Sequence, residues 1–135
     1  MEIDWQFIIS EEFRLGILAG LKTTVVISIY AIAGAIVIGV IIGLLQVSGY
    51  RMLRQLGQAY VTFFRNIPLL VQLFFWYFGL PAVFPPTDYP FIYSHGYEGT
   101  VAILTIATVM GAFSAEVIRA GVESIPIGQI ESALA

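Results

Sequence analysis

The sequence contains no cysteine and a single histidine, His95. Disulfide frameworks, thiolate metal sites and cysteine nucleophiles are therefore excluded. One imidazole cannot build a metal cluster or an HExxH protease site. Charge is scarce too, at 11% of 135 residues, against about 25% in soluble domains. A net charge of −3 leaves no basic patch for nucleic acid. The nearest approach to a phosphate loop is Gly16-Ile17-Leu18-Ala19-Gly20-Leu21-Lys22-Thr23. Leu21 separates its glycine from its lysine, so the backbone nest and the ammonium do not coincide. Neither enzymatic chemistry nor a cofactor is expected of this chain.

What fills the sequence is apolar, 59% of it. Residues 23–50, 66–87 and 99–115 carry no charge at all. Uncharged apolar runs of this length read as membrane spans, because about 20 helical residues cross the hydrocarbon. The expected fold class is therefore all-α, a polytopic membrane protein with three transmembrane helices at about 23–47, 66–84 and 98–120. The whole of 1–135 reads as one transmembrane domain.

Residues 1–22 mix Glu2, Asp4, Glu11 and Glu12 with Arg14, Lys22, Trp5, Phe7 and Phe13, the composition of an interfacial segment. Signal peptides open basic and carry a shorter apolar stretch, so this segment is expected to stay attached. In the first span Ala35, Gly39 and Gly43 recur every four residues, giving the helix one small face. Such faces allow close helix packing in lipid, although glycine is also simply frequent in membrane helices. Residues 48–65 read as a short polar connection with Arg51, Arg54 and Arg65 and no acid. The second span begins near Pro68, which is tolerated in a first helical turn. Phe74-Phe75-Trp76-Tyr77-Phe78 lies toward its far end, as an interfacial anchor or a ligand-stacking surface.

Residues 85–97, with Pro85, Pro86, Pro90, Asp88 and His95, form an irregular loop. His95 reads as a solvated loop residue, with a pH sensor as the other reading. The third span is expected to continue through Glu116 and Arg119, which stand three apart on one face. They read as an interfacial ion pair of small net value. The competing role is a polar contact in a transport path or with a partner. Counting Lys and Arg in the short loops places 48–65 and the C-terminus in the cytoplasm and the N-terminus outside. Pro126 breaks the outgoing helix, and 121–135 holds the start of another, the outline of a docking surface.

Three stretches carry a resemblance. Tyr60-Val61-Thr62-Phe63-Phe64-Arg65-Asn66-Ile67-Pro68-Leu69-Leu70-Val71-Gln72 is followed by the aromatic run to Phe78. Ala115-Glu116-Val117-Ile118-Arg119-Ala120-Gly121 is the second, and Ser124-Ile125-Pro126-Ile127-Gly128-Gln129-Ile130-Glu131-Ser132-Ala133 the third. In this order and spacing they resemble the permease subunit of bacterial ABC importers for polar amino acids, the histidine/glutamine/glutamate type. Arg65, Pro68 and Gln72 match the family's entry to the second helix. Glu116, Arg119 and Gly121 match its third-helix exit.

The resemblance implies a five-span permease in the bacterial inner membrane, of which this chain is the first three-fifths. It implies an E-A-A loop that docks on a separate ATPase subunit. Gly128, Gln129, Glu131, Ser132 and Ala133 would be its coupling positions, with Ser132 where the family commonly has the first alanine of its pair. The implied partners are that ABC ATPase, a second permease subunit (homo- or heterodimeric), a periplasmic amino-acid-binding protein and membrane lipid. Ile3-Asp4-Trp5 and the stretches around Arg65 and Trp76 look most like the glutamate/aspartate branch, although Arg65 recurs across the family and discriminates little. The alternatives are a non-transporting membrane scaffold that recruits a cytoplasmic partner, and a non-functional permease fragment. A small secondary transporter or channel would require midplane charges or broken helices, and spans one and two have no internal charge.

Overall fold

A computed structural model of the chain describes residues 11–88, 90 and 96–126. Among the described residues the elements are four helices: α1 (Glu11–Gln46), α2 (Arg51–Asn66), α3 (Leu69–Val83) and α4 (Tyr97–Glu123). The molecule is apolar on the outside. Leu15, Ile29, Ile32, Val37, Leu44 and Phe75 are among many large side chains left exposed, while the largest fully buried ones are only Val101 and Thr105. That inversion of the soluble pattern fits a lipid solvent, where contacts between helices depend on close approach rather than on escape from water.

The main contact joins α1 to α4. Ala31, Ala35, Gly39 and Gly43 form the buried stripe of α1. A Cβ placed at Gly39 would stand 2.5 Å from Ser114 Cβ, and one at Gly43 would stand 2.9 Å from Ile118 Cβ. From the other side, a Cβ at Gly111 would meet Ile38 Cγ2 at 2.6 Å. Any larger residue at these positions would force the backbones apart. Thr105 is fully buried in this region, and its hydroxyl donates to the Val101 carbonyl of its own helix, which satisfies its polarity.

These pairings fix direction. Gly34 lies against Ala107, Gly39 against Ser114 and Gly43 against Ile118, so α1 and α4 run parallel. The intervening chain must return from one end of the pair to the other, and α2 and α3 make that return. They meet at 98°. α1 and α4 are each long and apolar enough to cross a membrane, and α2 with α3 counts as a third crossing when taken as one broken span.

The structure shifts three boundaries. α1 has 36 residues, about 54 Å, so residues 11–22 of the expected interfacial segment are its opening turns; residues 1–10 lie outside the described residues. The polar connection expected over 48–65 is mostly helix. Its apolar side carries Gly57 and Val61, which bury against the bundle. The second span begins at Leu69 rather than 66, and its 15 residues measure about 22 Å, short of the roughly 30 Å hydrocarbon core. α4 continues through Glu116 and Arg119 as expected and ends at Glu123, ahead of Pro126.

Candidate functional site

The break between α2 and α3 follows from Pro68. In a continuous helix the Phe64 carbonyl would accept from the N–H of residue 68, and proline has none. Gln72 supplies the missing donor. Its Nε2 donates to the Phe64 and Ile67 carbonyls, both at 2.9 Å, while its own N–H donates to the Pro68 carbonyl at 3.2 Å. The side chain is buried, and its Oε1 has no hydrogen-bond partner. The far end of α3 repeats the solution. Pro81 cannot donate to the Tyr77 carbonyl four residues back. That carbonyl accepts the Tyr97 hydroxyl from the first turn of α4, and the two tyrosine rings lie 5.4 Å apart.

Just before the Pro68 break, Arg65 reaches α4. Its Nη1 lies 3.4 Å from Glu116 Oε2, and its guanidinium lies 5.1 Å from the centre of the Phe113 ring. Glu116 is a hub. Its Oε1 accepts from Gln46 Nε2 at 2.9 Å and from Arg119 Nε at 3.4 Å, and its Oε2 accepts from Arg119 Nη2 at 3.2 Å. Arg119 turns its other arm to Glu123 at 2.7 Å. One carboxylate thus ties the end of α1, the end of α2 and α4 together. Tyr60 adds a further tie, its hydroxyl donating to the Thr108 carbonyl at 2.9 Å. Gly57 permits the crossing, because a Cβ there would stand 2.9 Å from Gln46 Cγ.

Beside this hub lies a cleft of about 470 Å³ whose polar walls include Gln58, Thr62, Arg65, Asn66, Glu116 and Arg119. Gln46 also lines it. That residue is 3% exposed, and its Oε1 is buried without a hydrogen-bond partner. The arrangement can hold a charged, hydrogen-bonding solute.

Known proteins bear on this arrangement. Over 114 residues the chain is 41% identical to the probable glutamine ABC transporter permease protein GlnM of Bacillus subtilis, covering 84% of this chain and 49% of that one. It is 37% identical over 132 residues to the probable amino-acid permease protein YxeN of the same organism, 98% of this chain and 55% of that one. It is 33% identical over 147 aligned positions to the glutamate/aspartate import permease protein GltJ of Escherichia coli K12, 100% of this chain and 60% of that one. The chain is a homologue of the amino-acid ABC transporter permeases. It spans about half the length of the permeases it matches. No family model matches it, and no solved structure matches it.

The permease motifs meet in space. Arg65 of the second-helix entry contacts Glu116 of the third-helix exit, across a sequence gap of some fifty residues. Pro68 and Gln72 form the adjacent break, and Arg119 completes the hub. Gly121 stands apart, with open space where a side chain would go. The loop positions Gly128, Gln129, Glu131, Ser132 and Ala133, and His95, lie outside the described residues. Sequence reasoning missed Gln46, Gln58 and Thr62. For Gln46 a signal existed: it falls three residues after Gly43, on the same small face that buries Ala35 and Gly39.

Proposed function

We propose that the chain supplies the membrane-spanning permease part of an ATP-driven importer of polar amino acids. The observation that carries this reading is identity of 33–41% to amino-acid permeases over 84–100% of the chain. In the proposal, substrate passes between two permease subunits after delivery by a periplasmic binding protein, and a separate ATPase drives the cycle. Arg51 and Arg54, in the first turn of α2, face the cytoplasm with the C-terminus, since arginine-rich segments flanking a span stay inside. Gly128, Gln129, Glu131, Ser132 and Ala133 lie five to ten positions past the last residue of α4 in the sequence and couple it to the ATPase; closure of the ATPase pair then tilts the attached helices as a lever. Glutamine and glutamate/aspartate, named for two of the relatives, are the substrates to test first.

The test is uptake of labelled amino acids into membrane vesicles that carry the chain assembled with its ATPase and binding protein. ATP-dependent uptake of a polar amino acid is expected. Glu131→Lys should abolish it while leaving membrane insertion intact. Absence of ATP-dependent uptake overturns the importer reading, and undiminished uptake by Glu131→Lys removes that residue from the coupling role.

A further inference from the structure

The charged walls of the cleft at the α2–α4 crossing do not balance. Arg65, Arg119 and Glu116 line it, two cations against one anion, which leaves one positive charge in excess. Glu116 is fully committed, because Gln46, Arg119 and Arg65 all approach its two oxygens. Arg119 gives one arm to Glu116 and the other to Glu123, which is not part of the lining and has its side chain 56% exposed. Arg65 is less occupied. A guanidinium carries five N–H donors. Among the described residues, Arg65 has the 3.4 Å contact with Glu116 and the face of Phe113. The carbonyls at the end of its own helix do not compete for it, since Gln72 already donates to Phe64 and Ile67. Its side chain is 41% exposed, so its remaining donors are open to a ligand.

The cleft lies where helices end. Gln46 closes α1, Arg65 and Asn66 close α2, and Glu116 stands about two turns before the end of α4. Next to these residues in the chain, Phe63 and Val117 are left 58% and 72% exposed. Basic pockets between helices at the end of their spans, with apolar surface beside them, suit the two parts of a lipid. Gln58, Thr62 and Asn66 recur every four residues along α2 and form one polar row in the wall. The row adds amide and hydroxyl groups beside Arg65 and no further charge.

We infer that this cleft holds the headgroup of a phospholipid whose phosphodiester is its only charge and whose terminal group carries hydroxyls, as in phosphatidylglycerol. The single negative charge offsets the excess in the walls. The two non-bridging phosphate oxygens accept from the Arg65 fork, a charge-assisted and bidentate contact. The glycerol hydroxyls meet the Gln58–Thr62–Asn66 row, and the acyl chains lie on Phe63 and Val117. A phosphatidylcholine headgroup brings its own cation and leaves the excess standing. A soluble phosphoester has the charge but no chains to lay on the apolar surface. Such a lipid binds whether or not the assembled protein imports amino acids.

The full chain is purified in dodecylmaltoside micelles and titrated with phosphatidylglycerol, phosphatidylmethanol and phosphatidylcholine of equal chain length, and bound lipid is counted by native mass spectrometry. Phosphatidylglycerol should bind about fivefold or more tighter than phosphatidylcholine. It should also bind tighter than phosphatidylmethanol, which has the charge without the hydroxyls. Arg65→Gln should weaken phosphatidylglycerol about fivefold or more, and Arg65→Lys should retain part of the affinity. Arg51→Gln removes the same charge outside the cleft and should have little effect. Thr62→Val, which leaves every ion pair in place, should reduce the preference for phosphatidylglycerol over phosphatidylmethanol. Equal binding of phosphatidylglycerol and phosphatidylcholine by the parent chain overturns the proposal, and that comparison needs no variant to fold. An Arg65→Gln effect no larger than that of Arg51→Gln also overturns it and marks a diffuse attraction of α2 for anionic lipid. Phosphatidylmethanol bound as tightly as phosphatidylglycerol overturns the choice of headgroup. Displacement of the lipid by an equal concentration of glycerol phosphate overturns the lipid assignment and marks a site for a soluble phosphoester.

Discussion

At the scale of single residues, Pro68 and Gln72 are one device. The proline removes the donor owed to the Phe64 carbonyl, and the glutamine four residues on returns an amide to it and to Ile67. In hydrocarbon an unpartnered carbonyl cannot turn to water, so the glutamine is needed where the helix breaks. Gln72→Leu strands both carbonyls and should destabilise the protein by about 1–3 kcal/mol. Pro68→Ala in that background introduces an N–H able to reach Phe64 and should recover part of the loss. Denaturant unfolding of the four proteins in mixed micelles measures the coupling. If Pro68→Ala recovers nothing beyond its effect in the parent, the two residues are not linked through this carbonyl. The spacing of Pro68 and Gln72 was visible as a motif; its reason was not, because the glutamine acts on backbone groups of another helix.

At the scale of elements, the parallel contact of α1 with α4 is set by glycine rather than by large side chains. Gly39→Ala places a methyl 2.5 Å from Ser114 Cβ, and relief requires a backbone shift of the kind that costs about 1–3 kcal/mol. Gly16 sits in the same helix with nothing within 4 Å. Gly16→Ala should therefore be neutral or stabilising by about 0.5–1 kcal/mol, from helix propensity alone. Equal effects of the two substitutions on the unfolding midpoint would show that the seam does not depend on close approach. The small stripe of α1 was legible in advance, since a period of four in Ala35, Gly39 and Gly43 depends on one helix only. The amphipathic α2 was not recognised, because three arginines among apolar residues look like a loop when charge alone is counted. The ion-pair hub was half legible: Glu116 and Arg119 share a helix, whereas Arg65 and Gln46 reach them only after the chain has folded back.

At the scale of the whole molecule, direction decides topology. Lys22 and Glu98 border a common cavity at one end of the α1–α4 pair, and Gln46 meets Glu116 at the other. Two parallel crossings require the chain to return between them, and α2 with α3, taken as one broken span, supply that return despite their 98° bend. α3 alone is too short to do so, and α2 carries the remaining depth. A chain without cysteine is well suited to testing this, because each introduced cysteine is its sole thiol. Gly49→Cys and Ile125→Cys should react with a membrane-impermeant maleimide from one side. Gly16→Cys and Thr87→Cys should react from the other. Labelling of Thr87→Cys from the same side as Gly49→Cys would make α2 and α3 a re-entrant loop, and the parallel pairing of α1 with α4 would then be wrong as well. The two failures stand together because one cause, the register of Gly39 on Ser114 and Gly43 on Ile118, dictates both.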